Sequence, residues 1–219
     1  GEEAAQLLRL AAAARGDGDR GASARLALVS GAPGIGKSAL LDHVTAELRR
    51  DGWRVLPSYS AAHNARSVFA AWREPLRELL GLGHESGRRA WEQLRDEVTR
   101  INPDFRVLAP LLADILALPS DDEPLLRFLD ARARRDRLTA LVAGLIAGIA
   151  REQPVALYFD DVHQSDAPSM DLLAQVLPLL VASRVAVFLS SRSDAQPPEL
   201  ADADVALSLA LRELPLGDA

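Results

Sequence analysis

Cysteine is absent from the 219 residues, which excludes a disulfide framework and any thiolate metal site. Aromatic residues are scarce at 5%, so with 48% hydrophobic content it falls to Leu, Ala and Val to fill the core. The longest apolar run, Leu138 to Ala150, is too short to span a bilayer and contains Thr139. An excess of basic charge is also missing. The net charge is −6, which counts against a broad basic face that grips nucleic acid directly. Arg132, Arg134, Arg135 and Arg137 do cluster, but Asp130 and Asp136 sit among them, so a solvated helix face is expected there. The opening Gly1-Glu2-Glu3 is acidic where a secretory leader needs basic residues. A cytoplasmic location without membrane contact is therefore expected. The chain begins without Met, as a piece excised from a longer protein would. Lysine is the last shortage: of 25 Lys and Arg residues, Lys37 alone is Lys.

That lysine lies in Gly31-Ala32-Pro33-Gly34-Ile35-Gly36-Lys37-Ser38, which fits the phosphate-binding loop pattern Gly-x-x-x-x-Gly-Lys-Ser. Before it, Leu26 to Ser30 reads as a buried strand; after it, Ser38 to Val44 reads as an amphipathic helix. Glycines let the backbone curl so that its N–H groups converge on phosphate oxygens, and the helix N-terminus adds partial positive charge. The expected nucleotide-binding set is Gly31, Ala32, Pro33, Gly34, Ile35, Gly36, Lys37, Ser38 and Ala39. Lys37 would reach the outer phosphates and Ser38 would take a place on Mg²⁺.

Around this loop the pattern alternates. A helix is expected over Glu2–Ala14, then a Gly/Asp linker, so that residues 1–22 form a leading helix and linker. The core is expected over 23–210. A strand is expected at Trp53–Tyr59, made irregular or peripheral by Pro57. Residues 67–152 read as a helical insertion, with segments near 67–82, 87–101, 104–117 and 122–152. In the last of these, Leu138, Leu141, Val142, Leu145, Ile146 and Ile149 share one face. Val155–Phe159 is continuously apolar, as a parallel strand covered on both faces would be. A helix over Asp166–Ala182, capped by Ser165 or Asp166, a strand over Arg184–Leu189 and a short strand over Val205–Leu209 complete the pattern. The fold class is α/β: a parallel sheet flanked by helices, with the insertion between its second and third strands.

Ligands gather at the carboxyl ends of such strands, and polar groups stand at two more of those ends. Asp160-Asp161 follows Val155–Phe159, and a carboxylate there can hold Mg²⁺. Asp160 is assigned to the metal and Asp161 to orienting or deprotonating water, although the two roles could be exchanged. Ser190-Ser191-Arg192 follows the next strand. Arg192 either senses the γ-phosphate or pairs with Asp194. His163 is either a sensor of the site or a structural histidine. Asp166 reads as a helix cap rather than a ligand, and His43, His63 and His84 lack metal spacing.

Taken together, the loop 31–38, the stretch Tyr158-Phe159-Asp160-Asp161-Val162-His163-Gln164-Ser165-Asp166 and Phe188–Asp194 resemble an AAA+-related P-loop ATPase of the signal-transducing STAND class. In particular they are similar to the ATPase domain of large ATP-binding LuxR-type bacterial transcriptional regulators. The tail Leu209–Ala219 is similar to the entry into that family's helical lid, so residues 211–219 would begin a region lying beyond Ala219. Two positions differ from the family pattern: Gly1-Glu2-Glu3 stands where Gly-Arg-Glu is usual, and Gln164 stands where Trp is usual. The resemblance implies ATP or ADP with Mg²⁺, slow hydrolysis acting as a switch, and self-association or contact with partner domains of a full-length protein. Two other readings use the same residues: a non-catalytic nucleotide-binding interaction module, and the ATPase core of a DNA-acting AAA+ protein.

Overall fold

The computed structural model describes residues 1–16, 24–59, 68–120, 127–192 and 197–212. Within them five strands form one parallel sheet: β1 (Arg25–Ser30), β2 (Arg54–Ser58), β3 (Val155–Phe159), β4 (Val185–Ser191) and β5 (Val205–Ala210), in the order β2-β3-β4-β1-β5. β2 and β5 are the edges. Pro57 therefore sits where a missing N–H costs no ladder bond inside the sheet, as its position in the sequence predicted. Every residue of β3 and β4 is buried, which fits their unbroken apolar sequence.

Alternate strand residues build two cores. On one face Ala27, Val29, Val55, Ala156, Tyr158, Ala186 and Phe188 pack with α1 (Glu2–Arg15) and α2 (Lys37–Arg50). In α1 the buried positions Ala4, Leu7, Ala11 and Ala14 recur at helical spacing, and Gly16 ends the helix in the left-handed conformation. On the other face Leu28, Leu56, Leu157, Phe159, Val187 and Leu189 meet the insertion helices. These are α3 (Ala70–Leu79), α4 (Gly87–Ile101), α5 (Ala109–Leu116) and α6 (Ala131–Glu152), joined by α7 (Ala167–Val176).

α6 begins at Ala131, later than the expected 122. The Asp130 side chain accepts the Ala133 N–H and caps it there. Its Leu141, Val142, Leu145 and Ile146 are fully buried, the face that the sequence spacing predicted. Gly144 in α6 lets the Phe105 ring lie against the helix backbone, where a Cβ would collide with it. The expected helix 104–117 is instead a 3-10 turn, Pro103–Leu108, leading into α5. The expected helix 166–182 gives way after Val176 to a 3-10 turn containing Pro178. Within the described part of 67–82 the helix is limited to Ala70–Leu79, and β4 continues to Ser191, so Ser190 and Ser191 lie inside the strand rather than beyond it.

Candidate functional site at the strand ends

β3, β4 and β1 are neighbours, so the phosphate loop after β1, Asp160-Asp161 after β3 and Arg192 after β4 converge at one end of the sheet. A cleft of about 240 Å³ there is lined by Pro33, Gly34, Gly36, Lys37, Ser38, Ala39, Asp161 and Arg192. A larger cavity of about 520 Å³ lies on the insertion side, lined by Phe69, Leu111, Leu138 and Leu172 among others. It shares none of its lining residues with that cleft. Phosphate binding needs a shallow ring of backbone N–H groups rather than a deep apolar pit, so the smaller cleft is the candidate site.

The loop has the required backbone. Gly31, Gly34 and Gly36 have φ of 152°, 78° and 104°. A Cβ on Gly31 would come within 2.9 Å of the Leu211 carbonyl and 3.0 Å of Ile35 Cγ2, so only glycine fits that position. Gly31, Ala32 and Ile35 do not line the cleft; they hold the loop. Ile35 N–H donates to the Ala32 carbonyl at 3.3 Å. The Lys37 ammonium is folded under the loop, donating to the Gly31 and Ala32 carbonyls at 3.0 and 3.2 Å. Lys37 is itself buried, at 6% exposure.

Below the loop the Ser38 hydroxyl donates to Asp160, 3.2 and 3.0 Å from its two carboxylate oxygens. This hydrogen bond joins the loop to the acidic pair, and it brings together the two residues assigned to the cation. Among the described residues no three Asp, Glu or His side chains form a metal cluster. A site of this kind does not need one, since Mg²⁺ is bound by one or two protein oxygens, water and substrate phosphates. A hydroxyl and a carboxylate set side by side fit that requirement.

Two residues organise the acids. Ser190, fully buried, donates its hydroxyl to Asp160 and accepts the Asp161 N–H at 2.7 Å. Asp161 holds a left-handed backbone, φ 50° and ψ 50°, a conformation that costs a non-glycine residue about 1–2 kcal/mol but that Asp tolerates better than most. Gln164 donates to Asp161 Oδ2 at 3.3 Å. Gln164 thus braces the second acid. The sequence marked Ser190 as part of a polar strand end but gave it no role, because the contact that defines it is made with the neighbouring strand. Gln164 could have been found from its spacing of three residues from Asp161.

His163 Nδ1 lies 3.9 Å from Asp161 Oδ1. Burial pushes the imidazole below its ordinary value. Asp161 opposes this, while Arg192 and Lys37 add to it. Those four side chains thus share one electrostatic environment. Asp166 is the expected cap, accepting the Ser169 N–H at 3.0 Å, and it also accepts the Phe69 and Ala70 N–H groups at 2.9 and 3.1 Å. The acidic turn is thereby tied to the start of α3. Arg192 is exposed on the rim of the cleft. Its alternative partner Asp194, His63, and residues 213–219 of the expected lid entry lie outside the described residues.

The family model described as "AAA ATPase domain" matches residues 2–189. No curated protein matches the chain in sequence. Among solved structures, Cdc6p from Pyrobaculum aerophilum is 15% identical, with a TM-score of 0.49 over 96% of this chain and 44% of that one. PCH-2 from C. elegans is 14% identical, with a TM-score of 0.46 over 97% of this chain and 42% of that one. The ORC2 protein of Aeropyrum pernix, solved as ADPNP–ADP complexes, is 16% identical, with a TM-score of 0.44 over 96% of this chain and 47% of that one. The chain spans less than half the length of each of these proteins.

Proposed function

The chain belongs to the AAA ATPase domain family, and on that premise we propose that it is an Mg-ATP-binding, slowly hydrolysing switch domain of a multidomain signalling or transcriptional regulator. One observation carries the reading: the cleft that the phosphate loop forms also contains Asp161 and Arg192. Binding, water activation and phosphate sensing would then share one space.

In this reading the loop N–H groups and Lys37 bind the β- and γ-phosphates, with Lys37 exchanging its two carbonyl acceptors for phosphate oxygens. Ser38 and Asp160 would hold Mg²⁺, which supplies charge neutralisation at the phosphates when bound. Asp161, braced by Gln164, orients a water and accepts its proton as the water oxygen bonds to the γ-phosphorus and the bond to ADP breaks. Arg192 contacts the γ-phosphate and registers its loss. The regulatory setting rests on the sequence likeness of 158–166 and 188–194 to LuxR-type regulators, and self-association or partner-domain contact belongs to the same proposal.

The test is Mg-ATP binding by calorimetry together with single-turnover phosphate release. The wild type is expected to bind and to release phosphate slowly. Asp161→Asn is expected to keep binding and to lose release by a factor of about 10² or more, the scale of general-base catalysis. Release unaffected by Asp161→Asn would remove the water-activating role. Binding without any release would leave a nucleotide-gated interaction module.

A further inference from the structure

The cavity of about 520 Å³ on the insertion side has a chemistry of its own. Its size falls among small-molecule sites, which span about 300–1,000 Å³. Phe69, Leu111, Ile115, Leu138 and Leu172 give it an apolar wall. Its charged lining residues cancel. Arg134 and Arg135 stand against Asp114 and Asp171, and Arg134 lies 3.4 Å from Asp114. The lining thus carries no net charge to select an ion. A neutral polar pair lines it as well: buried Thr139 donates its hydroxyl to the Gln175 side-chain oxygen at 3.1 Å. That bond uses the amide oxygen, so the Gln175 amide N–H groups are the donors a ligand would meet.

The cavity wall is also tied to the acidic turn. Phe69 holds a left-handed backbone, φ 59° and ψ 28°, which a non-glycine residue keeps only where its surroundings fix it. Asp166 fixes it, accepting the Phe69 and Ala70 N–H groups at 2.9 and 3.1 Å. Pro168, two residues after Asp166, lines the cavity too. Asp166 ends the stretch 161–166 that carries Asp161 and Gln164.

We propose that this cavity binds an uncharged, largely apolar small molecule bearing a hydrogen-bond acceptor for Gln175, and that its occupancy is relayed to the nucleotide site through Phe69 and Asp166. A ligand seated against Phe69 changes how firmly that residue keeps its left-handed backbone. Asp166 passes the change to the turn that carries Asp161. The relay, though not the cavity's binding of a ligand, rests on the Mg-nucleotide reading above.

The probe is Nile red, an uncharged dye with a ring carbonyl whose fluorescence rises in apolar surroundings, titrated into the chain with and without Mg-ADP. Wild type is expected to bind it saturably, one to one. Val68 lines the cavity and is exposed, so Val68→Trp is expected to fill the space and abolish that binding while melting at the wild-type temperature. Mg-ADP is expected to change the dye's Kd in wild type by about fivefold or more, the lower end of usual couplings between sites. Asp166→Ser keeps a cap for α7 but lacks the carboxylate that holds Phe69; it is expected to bind the dye and lose the coupling. No saturable binding by wild type, or equal binding by Val68→Trp, would overturn the cavity's assignment. A wild type that binds both ligands without mutual effect, or an Asp166→Ser variant that keeps the full effect, would overturn the relay. Wild type that binds the dye but no Mg-ADP would instead sink the Mg-nucleotide reading and leave the cavity as a binding site.

Discussion

Ser190→Ala is the substitution whose cost follows most directly from the geometry. Ser190 is fully buried, and its oxygen both accepts the Asp161 N–H at 2.7 Å and donates to Asp160. Alanine leaves the Asp161 N–H unpaired, at about 1–3 kcal/mol for a buried donor. It also removes a hydrogen bond to a carboxylate, a type contributing about 1.5–3 kcal/mol. Asp160 is only half-buried and keeps Ser38, so the lower end of the second figure applies. The expected loss is about 2.5–4.5 kcal/mol, which for a domain of this size lowers the melting temperature by about 5–18 °C. Freed from Ser190, Asp161 can leave its left-handed backbone and carry its carboxylate out of the cleft. Phosphate release should therefore fall by about 10- to 100-fold, the range seen when a partner orienting site ligands is lost. The assay is thermal melting and single-turnover hydrolysis, repeated in an Asp160→Ala background. There the stability cost should shrink by about 1 kcal/mol, because one of the two partners is already gone. A melting shift under about 2 °C with unchanged hydrolysis would refute the view that Ser190 holds the acidic pair.

Two further outcomes follow from the same site. Gly31→Ala places a Cβ 2.9 Å from the Leu211 carbonyl at φ 152°, and is expected to destabilise by about 1–3 kcal/mol and to abolish nucleotide binding; a variant that binds normally would show that the loop conformation is not required. Burial lowers the His163 pKa below its ordinary 6.5, so the unfolded chain binds more protons than the folded one between those values. This contribution to stability is intact above about pH 6.5 and is lost as pH falls through the window toward the folded value. His163→Gln should therefore lose less stability than wild type between about pH 7 and 5.5 in chemical denaturation; identical slopes would remove the effect.

Much of this site was legible in sequence because its parts are local. The loop, its strand and its helix lie within Leu26–Val44, and the apolar strand ending in Asp160-Asp161 announces itself in seven residues. The period of Leu141, Val142, Leu145 and Ile146 likewise marked the buried face of α6. What sequence could not supply depends on contacts between distant segments. Ser190 reaches the acids only because β4 lies beside β3. Asp166 reads as a cap, and only the folded chain shows it also binding the start of α3 across nearly a hundred residues. Helix ends were misjudged where a side chain or proline intervened: Asp130 starts α6 late, and Pro178 turns the end of α7 into a 3-10 segment.

The central claim is that Gly31–Ser38 binds the phosphates of Mg-ATP through Lys37. Titrating Mg-ATP into wild type and Lys37→Ala under one buffer, by calorimetry, tests it most directly. The account predicts saturable one-to-one binding by wild type. It also predicts weakening of about 10- to 100-fold in the variant, the equivalent of the roughly 1.5–3 kcal/mol that a charge-assisted phosphate contact contributes. Equal affinity for the two proteins would contradict it.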